Sequence, residues 1–158
     1  MLANQQHTCC FTGHHRLPID RLDGILKRLG DEVDALMGQG VTDFISGGAL
    51  GFDQIAAALI LSKKEKGCNV RLILALPCHN QEDCWAEEQK ELYRYLLAGA
   101  DEIVYVSETH TEGCIKKRNC YMVDRSAYCI CACQRFLGGV SQTVGYAQQK
   151  GLKVVNVA

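Results

Sequence analysis

Short runs in which nearly every residue is apolar alternate along this chain with longer stretches in which apolar residues return every three or four positions. These are the marks of buried strands and of amphipathic helices. HTCCFTG (7–13) predicts a first strand ending in glycine. After Pro18, the residues Leu22, Ile25, Leu26, Leu29, Val33, Leu36 and Met37 form a helical stripe closed by Gly38 and Gly40. VTDFIS (41–46) predicts the second strand. GFDQIAAALILSKKEKG predicts a helix whose basic end, Lys63 to Lys66, suits the negative pole of its dipole.

VRLILAL (70–76) is nearly all apolar, as a strand covered on both faces must be. A third helix is predicted over about 83–98, a fourth strand at EIVYVS (102–107) and a fourth helix over about 117–126. AYCICAC (127–133) predicts the fifth strand, SQTVGYAQQKG the last helix and LKVVNV (152–157) the last strand. Six strands separated by five helices predict an α/β fold, a doubly wound and mainly parallel sheet with helices on both faces. No internal boundary or repeat breaks this order, so one domain spanning 1–158 is expected.

Charge and cysteine content remove several function classes. Lys and Arg number 17 against 18 Asp and Glu, a formal net charge of -1. No whole-protein positive field therefore argues for nucleic acid. The apolar stretch IAAALIL (55–61) is too short to span a bilayer, so no membrane is expected. MLANQQHTCC has neither a basic nor an apolar leader region, which predicts the cytoplasm. The ten cysteines include no C-x-x-C pair. Cys129, Cys131 and Cys133 alternate along a strand, roughly 6.6 Å apart on one face, too wide for one tetrahedral metal. They are expected to act as small buried hydrophobes, with no metal site.

In doubly wound sheets, ligands bind beyond the carboxyl ends of the strands. Those ends deliver Thr12, Gly13, His14, His15 and Arg16 from the first strand, and Ser46, Gly47, Gly48, Ala49 and Gly51 from the second. Pro77 and Gln81 follow the third strand and Ser107 the fourth. Gly138, Gly139, Ser141 and Thr143 follow the fifth. A glycine pair before a helix lets backbone N–H groups approach a phosphate at the positive end of that helix. Two such pairs, at 47–48 and 138–139, favour an anionic, phosphate-bearing ligand over plain turns. Neither fits G-x-x-x-x-G-K-S/T, and the first strand lacks G-x-G-x-x-G. His14, His15 and Arg16 form either a solvated turn or a contact to phosphate or base. Gln81, Trp85, Gln89 and Tyr93 recur every four residues, which predicts one helix face on which Trp85 either packs inward or stacks on a base.

The blocks FTGHHR, FISGGALGFDQIAA, ALPCHNQEDCWAEEQKELY, KKRNCYMVDRSAY and GGVSQTVGYA resemble, in order, those of YpsA-like proteins. These belong to the SLOG superfamily of Rossmann-like domains, named for Smf/DprA and LOG. FTGHHR departs from the more usual FTGHR by one residue. The resemblance implies a nucleotide-type ligand held by Gly47, Gly48 and Gly51 and by Gly138, Gly139 and Thr143. LOG-type relatives cleave the N-glycosidic bond of nucleoside monophosphates, and DprA-type relatives bind single-stranded DNA. The LOG comparison puts Arg118, followed by Asn119, at the catalytic arginine position. Where that family has a glutamate soon after the threonine, this chain has Val144, Gly145, Tyr146 and Ala147. Glycosidic cleavage needs a carboxylate, and Asp53 or Asp124 could replace it only by facing the cleft. Asp53, in the first turn of its helix, also suits a plain dipole role.

The expected function is binding or sensing of a nucleotide-derived, phosphate-bearing small molecule, without a cofactor. Hydrolysis of a nucleoside monophosphate is the alternative, and binding of single-stranded DNA is the third reading. Lys116, Lys117 and Arg118 are the only basic run near the rim for that third reading. Family analogy allows a homodimer formed through exposed helices.

Overall fold

The computed structural model describes residues 4–134 and 138–158. The N-terminal reading includes residues 1–3, and the loop leading to Gly138 includes residues 135–137. Both lie outside the described residues. The strands are β1 (Thr8–Gly13), β2 (Asp43–Ser46), β3 (Arg71–Leu76), β4 (Glu102–Tyr105), β5 (Tyr128–Ala132) and β6 (Lys153–Asn156). The helices between them are α1 (Leu22–Gly38), α2 (Phe52–Glu65), α3 (Glu87–Gly99), α4 (Cys114–Asp124) and α5 (Gly139–Gln149). All six strands pair in parallel in the order β4-β3-β2-β1-β5-β6. The α/β, doubly wound architecture is the one the apolar periods predict.

Right-handed crossovers decide which helix covers which face. The chain steps from β1 to β4 in one direction, so α1, α2 and α3 share one face of the sheet. Their inward residues Ile25, Leu29, Val33, Phe52, Ile60, Tyr93 and Leu96 pack against Phe11, Phe44, Leu72, Leu74 and Ile130. It then returns to β5 and steps the other way to β6, so α4 and α5 take the opposite face. There Met122, Val123 and Ala147 cover Cys10, Ile45, Ala75, Cys129 and Cys131. The two-residue period of a strand sorts the cysteines onto these faces. Cys9 belongs to the first core and Cys10, Cys129, Cys131 and Cys133 to the second. All ten cysteines are free, and burial pushes the Cys131 thiol up to about 12. Among the described residues no cluster of ligands could hold a metal. No described helix is long and apolar enough to cross a membrane.

Three helix starts differ from the sequence expectation, the last of them α5, which begins at Gly139, two residues before the predicted Ser141. The third helix begins at Glu87, four residues after the predicted 83, because residues 80–84 are taken up in turns. The fourth begins at Cys114, before the predicted 117, with Gly113 at φ 82 as its N-cap.

Glycine is required where the loop after β1 crosses the start of α2. Gly51 has φ 86 and ψ −126, a conformation open in practice to glycine alone. A side chain there would meet the backbone of His15, whose carbonyl carbon would lie 2.5 Å away. The close approach lets the Phe52 N–H donate to the His14 carbonyl at 3.2 Å, satisfying one of the free donors at the α2 start. Gly51→Ala is therefore expected to lose about 2–4 kcal/mol, a fall of roughly 5–15 °C in a thermal melt. Gly67 has nearly the same φ of 87 but open space around it. Gly67→Ala is expected to lose only about 1 kcal/mol, so equal losses would refute the steric account.

Candidate functional site

The strand order reverses between β1 and β5, which are neighbours whose outgoing connections run to opposite sides of the sheet. That divergence opens a crevice at their carboxyl ends. A cleft of about 320 Å³ lies there. Its walls are Thr12, Gly13, His14 and His15 from the end of β1, and Ala49 and Asp53 from the entry to α2. Ile115, Arg118 and Asn119 come from α4, and Gly139 and Val140 from the start of α5.

Two buried charges define its floor. Arg118 is only 3% exposed. Its Nη1 donates to the Gly47 carbonyl at 2.7 Å and to the Ala75 carbonyl at 3.4 Å, and its Nε donates to Asn119 Oδ1 at 2.9 Å. Nη2 makes no hydrogen bond among the described residues. Asp53 is 5% exposed, and its Oδ1 is buried with no hydrogen-bond partner. Burial raises the Asp53 carboxyl from 3.8 to about 6, against the opposing pull of Arg118 and of the Ala49 N–H. Burial also lowers Arg118 from the usual guanidinium value, and Asp53 partly restores it.

Of the residues expected at the site, Thr12, Gly13, His14, His15, Ala49, Asp53, Arg118, Asn119 and Gly139 meet in this cleft, and Gly51 is not among its walls. Thr143 lines an adjoining pocket, and its hydroxyl donates to the Gly139 carbonyl at 2.9 Å. Gly138 caps α5 at φ 98, and Ser141 lies in the first turn of that helix. Asp124 faces away from the cleft, accepting the Tyr146 hydroxyl at 2.6 Å on the surface.

Several expected contacts fall elsewhere. Gly47 and Gly48 are buried and line no part of the cleft, and their carbonyls point at side chains of this chain. Gly47 accepts from Arg118 and from Gln81 Nε2 at 3.4 Å, and Gly48 accepts from Gln54 Nε2 at 3.1 Å. A side chain at 47 would collide with the Arg118 guanidinium and with Asp53 Oδ2. This glycine pair is an internal strut in the described structure, and its closeness serves Arg118. Ser46 is fully buried behind it, accepting from the Gly48 N–H and donating to the Asp53 carbonyl. Gln81 and Trp85 precede α3 and so share no helix face with Tyr93. Gln81 instead donates to the Tyr93 hydroxyl at 3.2 Å, and Trp85 meets the Tyr93 ring edge-on at 5.0 Å. Arg16 is exposed outside the cleft. Ile115 and Val140 are wall residues that no polar motif announces. Ile115 sits three positions before Arg118, on the same side of α4.

A carboxyl whose ionisation is opposed by burial makes folding depend on pH. Because the folded value of Asp53 lies above the unfolded one, its contribution is favourable below pH 3.8 and is lost as pH rises through about 6. At pH 7 the ionised group opposes folding by up to about 3 kcal/mol. Asp53→Asn is therefore expected to melt higher than the native protein at pH 7–8, with the difference closing below pH 4. A lower melting point for the variant at pH 7 would show that the ionised carboxylate stabilises the fold.

Comparison with known proteins identifies the family and the fold. The YpsA model, described as the YspA SLOG family, matches residues 12–149. The SPbeta prophage-derived protein YoqJ of Bacillus subtilis is 31% identical over 118 residues, covering 67% of this chain and 69% of that protein. A UPF0398 protein of Halalkalibacterium halodurans is 28% identical over 104 residues, covering 65% of this chain and 55% of its own length. The chain thus spans little more than half of that relative. Among solved structures, DNA processing protein A of Helicobacter pylori, studied for its single-stranded DNA binding mode, superposes with a TM-score of 0.61 at 18% identity. That match covers 96% of this chain and 66% of the other. DNA processing protein A of Streptococcus pneumoniae gives 0.54 at 14% identity, covering 96% and 59%. The fold is shared with these two proteins, and the match across 12–149 places the chain in the YpsA family of SLOG proteins.

Proposed function

We propose that this chain binds a nucleotide-derived, phosphate-bearing small molecule in the cleft between the ends of β1 and β5. The pairing of Arg118, whose Nη2 has no partner among the described residues, with the unsatisfied Oδ1 of Asp53 carries this reading. Asp53 Oδ1, a buried polar atom left without a partner, opposes folding, and a ligand that hydrogen-bonds it removes that penalty. The two helix starts at the cleft divide the work. Asp53 occupies the first turn of α2 and disfavours an anion there, whereas the first turn of α5 contains no acid. The phosphate accordingly belongs at the α5 start and Arg118, and sugar hydroxyls belong at Asp53. Such a ligand implies a protein that works in the cytoplasm.

Hydrolysis of the N-glycosidic bond is the second reading, favoured by one observation. Asp53 faces the cleft with Arg118 and titrates near 6, in the range where a carboxyl can exchange protons at neutral pH. It supplies a carboxylate that the segment after Thr143 lacks. Single-stranded DNA, bound by the Helicobacter relative, is less well supported. Burial of Arg118 leaves Lys116 and Lys117 as the solvent-facing part of the basic run.

A thermal-shift screen of nucleoside mono-, di- and triphosphates tests the binding reading. A ligand at 100 times its Kd adds about 2.7 kcal/mol, or roughly 5–10 °C for a chain of this size. Absence of a shift across the panel would sink the reading. If the protein also cuts its ligand, free base and ribose phosphate accumulate, and Asp53→Asn abolishes their release while binding persists. A panel that yields no product retires hydrolysis alone.

A further inference from the structure

The adjoining pocket, also about 320 Å³, lies between α4 and α5 and shares Ile115, Asn119 and Gly139 with the switch-point cleft. The two spaces differ in chemistry. The cleft presents Asp53, Arg118 and His14, all polar or charged. The pocket is walled mainly by the apolar surface of Ile115, Cys120 and Tyr146, with Lys116, Gln142 and Thr143 also in its lining. Ile115 is 44% exposed, so its apolar side chain is open to the pocket it lines. Tyr146 is held in place by its hydrogen bond to Asp124. Each space alone is at the small end for a ligand site, roughly 300–1,000 Å³. Joined across Asn119 and Gly139, they suit a molecule with one polar, anionic end and one flat, apolar end.

We infer that the α4–α5 pocket is the base subsite of this protein, receiving the heterocycle of a nucleoside monophosphate whose sugar phosphate occupies the switch-point cleft. The inference rests on the nucleotide reading of that cleft and adds where the base goes. A purine or pyrimidine ring would lie against Ile115 and Tyr146, with Asn119 and Gln142 placed to meet its polar edge. The lining of the pocket then makes ribose 5-phosphate a ligand of the cleft alone and a nucleoside monophosphate a ligand of both spaces.

Cys120 gives a probe inside the pocket, and exposed Cys84, on the segment before α3, serves as the internal control. The native protein is alkylated with iodoacetamide in the presence of saturating AMP, GMP, CMP or UMP, or of ribose 5-phosphate. Labelling is read by peptide mass spectrometry, with melting temperature followed in parallel. At least one nucleotide is expected to reduce Cys120 labelling fivefold or more and leave Cys84 unchanged. Ribose 5-phosphate is expected to raise the melting temperature with Cys120 labelling within twofold of the free protein. Cys120→Trp, which fills the pocket, is expected to weaken nucleotide binding at least tenfold and ribose 5-phosphate binding less than threefold. This comparison decides the matter if Cys120 resists labelling in the free protein. The labelling result decides it if the variant does not fold. Nucleotides that raise the melting temperature without protecting Cys120, or that bind the folded variant as they bind the native protein, overturn the base subsite and leave the cleft reading standing. Failure of both ligand classes to shift the native protein defeats the cleft reading itself.

Discussion

The guanidinium of Arg118 donating to the carbonyl of Gly47 is the interaction around which the site is arranged. A guanidinium taken out of water needs acceptors, and the ends of β2 and β3 provide them in the carbonyls of Gly47 and Ala75. That demand fixes the height of α4 over the sheet and so the position of Asn119 and Ile115. It also dictates the residue at 47, since a side chain there would occupy the space of the guanidinium. Gln81 and Tyr93 support the same carbonyl from behind, which ties the loop after β3 to the strut. The Gly47 carbonyl thus links the loop after β3 to the guanidinium at the cleft.

The fold was legible in the sequence because its signals are repeated and redundant. Six apolar runs and five amphipathic stripes must all be wrong before a doubly wound sheet is lost. The strand ends could be read for the same reason, and with them Thr12, Gly13, His14 and Gly139 at the cleft, whereas Arg118 and Asn119 on α4 were reached only through the family resemblance. What a glycine is for was not legible. Gly47 and Gly48 have the composition of a phosphate-binding turn, yet their neighbours in space are Arg118, Leu76 and Tyr93. Closeness of approach is a property of the partner, and the partner lies far away in the chain. The four-residue spacing from Gln81 to Tyr93 misled for a different reason. Turns at 80–84 delay α3, so two residues of an apparent helix face act as a prop. Ile115 and Val140 escaped notice because wall residues of a cleft are ordinary hydrophobes.

Asp53 shows how such a site is held against the interests of the fold. Surface ion pairs such as Lys27–Asp31 are exposed and contribute little. Asp53 is instead enclosed, with one oxygen unsatisfied and its carboxyl pushed to about 6 by burial. A chain selected for stability alone would place asparagine or an apolar residue there. Residues that oppose folding cluster where function needs them. The same carboxyl sits at the α2 start, where it cancels the attraction that an empty helix end would hold for phosphate. The positive end of α5 remains without an acid, beside Arg118. One side chain therefore accounts for both the pH sensitivity of the fold and the polarity of the cleft. It also separates the two glycine pairs, so alike in sequence: the first braces the arginine, and the second opens a helix whose first turn holds no acid.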